Sequence, residues 1–582
     1  MKKFKSLKWY WKTLIIGPIV FIIVINIIDY YVEYYADKQL NKIRDQFAGK
    51  YDFSYDELNV KLAQKVVVLK NFQFFSTIDS SFNENKVDFR LDELYLHLNS
   101  YIELAVSGKL NLKKVGIYNP SITYGLKRLN NSEAKPDSIY DTTTKQKKDL
   151  FLNRLHISEF VLENGKSDVY RLTKSNDKIL FIKDLDIHAT DISVDFTNDS
   201  LFASSSIKTL VYNASDIINN DLKNLELSIG NIHYDLSSEG FTIDKFHIKN
   251  KKSRKAFNAA RQYRGPWISL DVEKIEFDIF PWDVYKDGIF DLGKIILTQP
   301  NIELFVDLNL PLSPKIKPMP GKMIRDVPIE FNLDSLQLID AVFVFMPKMK
   351  GENPGNVKLA PINGYMTNIT NVSAYLEENP KMKLDIDCKI WDEGDVEIYI
   401  EVDVADKNDP MYVKGQVADL SFKQVENMIM NLFGIKVKSG YIDLLKFEYV
   451  ADDVTSKGKV VFDYYELELD LKKKAGKNKE TGDEKYNEKS NKFLNFFAKE
   501  AIRRDNMPDS SKYVATGYIY RERIRNKAFS DALWGSIEVG LLDVAVKNAF
   551  FNSKKNYNKK EKKKVRKEEQ AKRKSKKKKK RR

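Results

Sequence analysis

The chain has 582 residues, of which 43% are hydrophobic, 12% are aromatic and 31% are charged, with a formal net charge of +14. This composition is enough to bury a core, and it is too rich in aromatic residues for a chain that is disordered throughout. The single cysteine, Cys388, excludes an intramolecular disulfide framework and any zinc or iron–sulfur site built from several cysteines.

The positive charge is concentrated at the two ends of the chain. Residues 1–12 contain five lysines and no acid, and residues 554–582 contain 19 Lys and Arg against 3 acids. The body, residues 29–553, holds 72 bases against 79 acids, a net charge of −7. A globular nucleic-acid-binding domain is expected to be basic itself, so no nucleic-acid partner is predicted.

The N-terminal region has the pattern of a membrane anchor. Residues 13–28 are uncharged and almost wholly apolar, with lysines before them and acids after them. This asymmetry predicts a cytoplasmic basic stub over 1–12, one transmembrane helix with aromatic flanks over 13–35, and an exported remainder. The anchoring residues are Trp9, Trp11, Ile15, Ile16, Phe21, Ile22, Ile23, Tyr30 and Tyr31.

Two other interpretations of this segment remain open. A cleaved signal peptide has a similar apolar run, but the following sequence DYYVEYYADK has no small-x-small cleavage site. A buried core helix would not explain lysines on one side and tyrosines on both. An uncleaved anchor is therefore the favoured hypothesis.

The body has the periodicity of β-strands after a short predicted helix over residues 36–48. Apolar residues alternate with polar ones from Phe53 onwards, as in Leu384-x-Ile386-x-Cys388-x-Ile390. Such alternation predicts sheets with one apolar and one polar face. About 18 to 20 strands are expected, which at ~4.8 Å per strand would extend on the order of 90 Å.

An internal repeat supports a stacked β architecture. The segment L-x-K-V-x-I-x-x-P-x-I-x-Y from Leu112 to Tyr124 matches L-x-K-I-x-L-x-x-P-x-I-x-L from Leu292 to Leu304. A similar alternating segment precedes each copy, and related fragments follow at Leu155 and Leu333. Chance matches between β-rich segments are the alternative, but the matching upstream strands favour a real repeat.

Three segments interrupt the alternation. Residues 128–150 are polar and are expected to form an exposed loop, and residues 308–325 form a proline-rich connector. Residues 471–510 are expected to contain a disordered linker, over 471–489, followed by a helix with Phe493, Phe496, Phe497 and Ile502 on its apolar side.

The C-terminal end combines an amphipathic segment with a polybasic tail. A terminal strand and helix are predicted over 511–551, followed by the tail over 552–582. Docking on an anionic membrane surface is one interpretation, and a helix packed over the end of a sheet with a solvated tail is the other. Nuclear localisation or nucleic-acid binding is a third interpretation of the lysine run, which an exported C-terminus would make irrelevant. The docking residues would be Trp534, Ile537, Leu541, Lys576, Lys577 and Lys578.

The sequence lacks the common catalytic and metal-binding patterns. The histidines, His97, His156, His188, His233 and His247, lack H-x-H or H-E-x-x-H spacing. The sequence contains no G-x-S-x-G, Walker or G-x-G-x-x-G motif. We therefore predict no enzyme activity, no cofactor and no metal site, and interpret Cys388 as a small buried hydrophobic residue.

Several of these segments resemble AsmA-like proteins. The N-terminal similarity lies in "VDFRLDELYLHL … LKKVGIYNPSITYGL", and the C-terminal similarity lies in residues 420–471, where Gly440 and Gly458 hold the glycine positions of a strand pair. "RNKAFSDALWGSI", residues 525–537, is similar to the ending of members from Bacteroidetes-type Gram-negative envelopes. The family is related to TamB and to chorein-like bridge proteins.

The resemblance implies a fold and a function. It implies a mainly β fold with flanking helices, in which a transmembrane helix leads into an elongated, taco-like β-groove and a C-terminal amphipathic helix. Residues 36–310 would form an N-terminal AsmA-like groove and residues 326–470 a C-terminal one. The groove lining is expected to include Leu94, Leu96, Leu98, Ile117, Ile122, Ile275, Phe277, Ile279, Leu297 and Ile302.

The function implied by this fold is lipid handling in the cell envelope. The chain would be a single-pass protein of the inner membrane with its body in the periplasm. It would bind phospholipid acyl chains and contribute to phospholipid transport between the inner and outer membranes and to outer-membrane homeostasis. The alternative is an anchored scaffold for outer-membrane assembly that binds no lipid. A hydrolase with an unrecognised site is a more distant third.

Overall fold

The fold is given by a computed structural model of the chain. It describes residues 50–61, 64–77, 85–100, 109–126, 154–172, 177–195, 205–220, 222, 224–237, 240–278, 285–286, 288–348, 354–426, 435–471, 473–477, 484–487 and 502–547. Strands dominate these residues, and the mainly β fold expected from the alternation is confirmed. The chain divides into two compact units, residues 1–248 and 249–582, so that the proline-rich connector lies within the second unit.

In the first unit, most strands pair with a strand that is close to them in the sequence. They are β1 (Tyr51–Ser54), β2 (Glu57–Lys61), β3 (Val66–Ser76), β4 (Lys86–Leu98), β5 (Lys109–Tyr118), β6 (Ser121–Leu126), β7 (Arg154–Arg171), β8 (Asp177–Asp195), β9 (Ser205–Ser206), β10 (Thr209–Asn219), β11 (Leu225–Asp235) and β12 (Gly240–Asn250), the last of which ends at the start of the second unit. β3 pairs antiparallel with β1, β2 and β4, and the series β7, β8, β10, β11 is also antiparallel.

The second unit contains the remaining strands and the described helices. Its strands are β13 (Pro266–Phe277), β14 (Tyr285–Lys286), β15 (Ile289–Asp291), β16 (Lys294–Thr298), β17 (Asn301–Asp307), β18 (Glu330–Lys348), β19 (Val357–Thr370), β20 (Lys381–Ile390), β21 (Gly394–Asp403), β22 (Met411–Ser421), β23 (Ile435–Ala451), β24 (Thr455–Leu471), β25 (Lys473–Lys477), β26 (Glu484–Asn487) and β27 (Gly517–Glu522). Its helices are α1 (Arg254–Ala259), α2 (Pro320–Arg325), α3 (Ser373–Glu378) and α4 (Phe529–Ala545).

The main sheet of the second unit is a long antiparallel meander with one parallel junction. From β18 to β24 each strand pairs antiparallel with the next, and β27 pairs with β24. β15, β16 and β17 pair with β18 in parallel, so the connector over 308–325 returns the chain to the same sheet. The sheet therefore contains both parallel and antiparallel pairs. A parallel pair needs a connection longer than a hairpin, and the connector provides it.

The sequence repeat has the same topology in both units. β5 and β6 both pair antiparallel with β4 and parallel with β7. β16 and β17 pair in the same way with β13 and β18. The fragments at Leu155 and Leu333 lie on β7 and β18, the two strands that accept these parallel partners. The predicted repeat is thereby confirmed as a structural unit.

Each repeat contains the same break in the ladder. Asn119 and Gln299, which directly precede the buried Pro120 and Pro300, both have φ of 52°, in the left-handed region. Their amides donate to Glu163 O at 2.9 Å and to Ile339 O at 2.8 Å. A left-handed residue turns the strand and resets which face its side chains occupy, so the apolar sets before and after the proline can share a face.

Each unit has its own hydrophobic core. In the first unit the core includes Leu69 and Phe72, which are three positions apart in β3 and are separated by Asn71 at φ 52°. In the second unit the core extends from β18 to β27 and includes Met319 of the connector and Val544 of α4. The connector and the C-terminal helix are thus parts of the folded unit.

Two segments differ from the sequence-based expectations. β25 and β26 form an antiparallel pair within 471–489, where composition predicted disorder, because backbone pairing does not depend on apolar side chains. Ile502 forms a bridge with Val546 and is not helical. Residues 493–501, the loop over 128–150 and the helix over 36–48 lie outside the described residues.

The predicted N-terminal anchor also lies outside the described residues, including every predicted anchoring residue from Trp9 to Tyr31. Within the described ranges, no helix has the length and apolar character needed to cross a membrane.

Candidate functional site

A continuous row of apolar side chains crosses the sheet of the first unit. Residues paired directly opposite one another lie on the same face of a sheet, so the register identifies the row. From β2 to β11 its members are Leu58, Leu69, Leu94, Ile117, Leu162, Ile187, Tyr212 and Tyr234. We call this row the first apolar band.

A second apolar band crosses the sheet of the second unit. Its register from β13 to β27 joins Phe277, Ile295, Leu336, Met366, Leu384, Ile400, Val413, Tyr449, Gly458 and Ile519. A parallel row lies beside it on the same face and joins Ile275, Leu297, Leu338, Gly364, Ile386, Ile398, Gly415, Phe447, Val460 and Gly517. Neither row contains a charged residue.

The opposite face of the same strands is polar. The row next to the second band joins Gln337, Tyr365, Asp385, Tyr399, Lys414, Glu448, Lys459 and Tyr518. Ion pairs and hydrogen bonds cross this face, such as Lys381 Nζ to Glu401 Oε1 at 3.1 Å and Tyr412 Oη to Glu448 Oε1 at 2.9 Å. The sheet therefore has one apolar and one water-facing side.

The centre of the apolar face is less covered than its margins. In β20, Leu384 and Ile386 are half-buried, whereas Met382 and Cys388 on either side of them are 7% and 9% exposed. β21 repeats this pattern, because its central residues, Ile398 and Ile400, are half-buried between fully buried neighbours. The half-buried part of the second band, from Phe277 to Ile400, crosses six strands and can accept an apolar ligand along its length.

The structure places the sequence-predicted lining residues on these apolar faces. Leu94, Leu96, Leu98 and Ile275 are buried, at 6%, 2%, 4% and 8% exposure. Half-buried members of the prediction are Ile117, Ile122, Phe277, Leu297 and Ile302. Leu94 pairs with Ile117, and Ile275 pairs with Leu297. Ile279 lies outside the described residues. The repeat unit thus brings the predicted residues together within each unit.

The central residues of the second band were missed by sequence reasoning. Met366 and Ile400 of the band, and Ile398 of the row beside it, lie on β19 and β21, where apolar and polar residues alternate as they do in the strands of the predicted lining. The alternation of β20 from Leu384 to Ile390 was the available signal. It identifies an apolar face, but only the register shows that this face continues from one strand to the next.

Gly415 shows how closely the strands of this face pack. A Cβ atom at Gly415 would lie 2.6 Å from the ring of Phe447 and 2.6 Å from Glu397 O. The Phe447 ring therefore lies across β22 at the glycine. This packing leaves the apolar surface continuous from β23 towards β21.

Helix α4 covers the apolar face at the last strands. Tyr449 donates its hydroxyl to Leu533 O at 3.0 Å, and Ile537 and Val544 join the same core as Val460. The helix presents its small residues to the sheet, because a Cβ at Gly540 would lie 2.6 Å from Val460. The interpretation of a helix packed over the end of the sheet fits this arrangement.

The predicted docking residues are divided by this packing. Trp534 is 48% exposed, Leu541 is half-buried and Ile537 is only 8% exposed. Ile537 therefore faces the sheet, and the outward face of α4 carries Trp534 and Leu542. Lys576, Lys577 and Lys578 lie outside the described residues, so membrane docking by the tail stays a prediction.

Two histidines of the first unit lie beside polar partners on the polar face of its sheet. His233 Nδ1 lies 2.6 Å from Asn213 Oδ1, and His188 Nε2 lies 3.8 Å from Glu159 Oε1 on the polar face of the first unit. Burial raises the pKa of the Cys388 thiol to about 11, which makes it a poor nucleophile. Among the described residues, no group of three or more His, Cys, Asp or Glu is placed to hold a metal ion.

No known family model matches the chain, and no curated protein matches it either.

Proposed function

We propose that the chain is a membrane-anchored envelope protein of AsmA-like type that binds lipid acyl chains on its apolar bands. The observation that carries this proposal is the uninterrupted apolar row over ten strands from Phe277 to Ile519, half-buried from Phe277 to Ile400. Phospholipid transport between the inner and outer membranes, and outer-membrane homeostasis, are the processes that such a surface would serve.

The chemistry of the two faces supports an acyl-chain ligand. Apolar surface in contact with water gains roughly 0.8 kcal/mol for each CH₂ group that is buried against it. Five strand intervals at ~4.8 Å give the half-buried part of the second band, from Phe277 to Ile400, a length of about 24 Å. Acyl chains lying on the band would replace water there, while their headgroups would remain in water beyond the margins of the face.

The charge distribution supports the proposed location. Lysines before the apolar run 13–28 and acids after it favour a cytoplasmic N-terminus and a body on the other side of the inner membrane. The phospholipids of both membranes are then the proposed partners. The tail, with 19 Lys and Arg against 3 acids over 554–582, favours an anionic membrane surface at the other end of the chain.

Native mass spectrometry of the detergent-extracted full chain tests lipid binding. Phospholipid should co-purify with the wild type and be lost in Met366→Lys, because the new charge would lie on the central apolar band. Tyr365→Lys is the matched control, since Tyr365 is the adjacent residue of β19, lies on the polar face and is 46% exposed.

The outcome separates the proposal from its alternative. Loss of lipid in Met366→Lys with retention in Tyr365→Lys supports acyl-chain binding at this face. Absence of phospholipid from the wild type would contradict the proposal and favour an anchored scaffold that binds no lipid.

A further inference from the structure

Three loops of the second unit are joined at one end of its sheet. The amide of Lys317, in the connector, donates to Arg525 O at 2.7 Å, and the amide of Arg523 donates to Val454 O at 2.8 Å. The Asn526 side chain donates to Ser313 O at 3.1 Å. Residues 313–317, 452–454 and 523–526 are called the loop cluster below.

A buried arginine holds the loop cluster together. The side chain of Arg523 is 1% exposed, pairs with the carboxylate of Asp453 and donates to the backbone carbonyl of Lys317. Asp453 also pairs with Arg525. Burial lowers the pKa of the Arg523 guanidinium, and the nearby Asp453 carboxylate partly offsets this lowering. Removing one partner of a buried pair is costly, so these bonds fix the three loops relative to one another.

Each loop of the cluster exposes one large apolar side chain. Val454 is 63% exposed, Ile316 is 58% exposed and Ile524 is 42% exposed. Val454 and Ile316 are the two most exposed large apolar residues in the part of the chain that the structure describes. Apolar side chains held at fixed loop tips, outside the core of their own sheet, indicate a surface that another body covers.

The charges around these tips indicate which body that is. Lys315 and Lys317 belong to the loop cluster and are exposed, whereas the exposed Arg525 shares the Asp453 carboxylate with Arg523. Lys407 is also exposed, in a neighbouring loop whose Asn408 O accepts from the amide of Asp453 at 3.3 Å. Lysine and arginine can keep their charged heads at lipid phosphates while nearby apolar side chains enter the interface.

We propose that the loop cluster is a contact surface for an anionic lipid bilayer. Ile316, Val454 and Ile524 enter the interfacial region, and Lys315, Lys317 and Lys407 bind lipid phosphates. The apolar tips are single residues separated by exposed cations, which suits a bilayer interface better than the continuous apolar patch of a protein–protein contact. The loop cluster is separate from the apolar bands, so bilayer contact by the loop cluster and acyl-chain binding by the bands can be tested independently.

A fluorophore attached at Val454 tests the insertion directly. In the full chain, Val454→Cys is labelled with an environment-sensitive dye, while the native Cys388 is buried and has a pKa of about 11, which protects it from the reagent. The matched control is Asn356→Cys, an exposed residue at the opposite ends of the strands. The protein is held in phosphatidylcholine nanodiscs and is titrated with vesicles containing phosphatidylglycerol.

The expected result is a blue-shifted and brighter emission at position 454, with no change at position 356. Adding Ile316→Ser and Ile524→Ser should weaken the vesicle affinity by about tenfold or more, since two apolar side chains no longer enter the interface. An unchanged emission at position 454, or an equal change at position 356, would overturn the proposal. An unchanged affinity in the double serine variant would also overturn it.

Discussion

At the residue scale, the apolar face depends on where small side chains permit close approach. Gly415 lies between Ile398 and Phe447 in the row beside the second band, and the Phe447 ring occupies the space that its side chain would need. Gly364 lies in the same row, but there a Cβ would meet its nearest atom, Leu338 Cδ1, at 3.4 Å. The two glycines therefore lie in the same row across the sheet, but only Gly415 lacks space for a Cβ atom.

Gly415→Ala should therefore destabilise the protein, whereas Gly364→Ala should not. We expect Gly415→Ala to lower the free energy of unfolding by about 1–3 kcal/mol, because the Phe447 ring and the backbone of β21 must move apart. Gly364→Ala should stay within about 0.5 kcal/mol of the wild type. Urea denaturation followed by tryptophan fluorescence measures both, and equal effects would contradict the packing described for Phe447.

The burial of a single residue could be predicted from sequence where the apolar–polar alternation of its own strand indicates which face it occupies. The burial of Cys388 follows from its place in the alternation of β20 and is confirmed. The docking interpretation places Ile537 at a membrane surface, whereas the structure buries it at 8% exposure. A helix of mixed small and apolar residues can pack through either set, so the sequence left both interpretations open. The small face of α4, with Gly535, Ser536 and Gly540, is the one that meets the sheet.

At the element scale, helix α4 caps the sheet at its last strand, β27. β27 pairs with β24, and the amide of Tyr518 in β27 donates to Asp543 Oδ2 of α4 at 2.8 Å. Asp543 is 8% exposed. The Asp543 carboxylate thus accepts a hydrogen bond from a backbone amide of β27 that does not bond to β24. This contact also hinders the pairing of another strand with β27.

Asp543→Ala should loosen β27. Leaving the Tyr518 amide without its acceptor should cost about 1–3 kcal/mol, whereas Asp543→Asn keeps an acceptor oxygen and should cost less. Hydrogen exchange at the β27 amides measures the effect. The control is Glu538→Ala, an exposed acid on the same helix, which should leave this exchange unchanged. Equal protection of β27 in Asp543→Ala and wild type would contradict the capping role.

At the scale of the whole molecule, the repeated unit could be predicted from sequence and the extent of the face could not. The prolines at 120 and 300, with the apolar positions around them, identify two copies whose strands pair identically. The division of the chain at Ile248 has no signal in composition, since it falls within the alternation of β12. Continuity from Phe277 to Ile519 depends on register, which a single sequence does not specify.

Site-specific photo-crosslinking in cells tests whether phospholipid lies on the apolar face of the second unit. A photoreactive amino acid is placed at Ile398, on the central apolar face, or at the adjacent Glu397, on the polar face of β21. We expect a phospholipid adduct, identified by its mass, at position 398 and none at position 397. No lipid adduct at position 398, or equal adducts at the two positions, would contradict acyl-chain binding on this face.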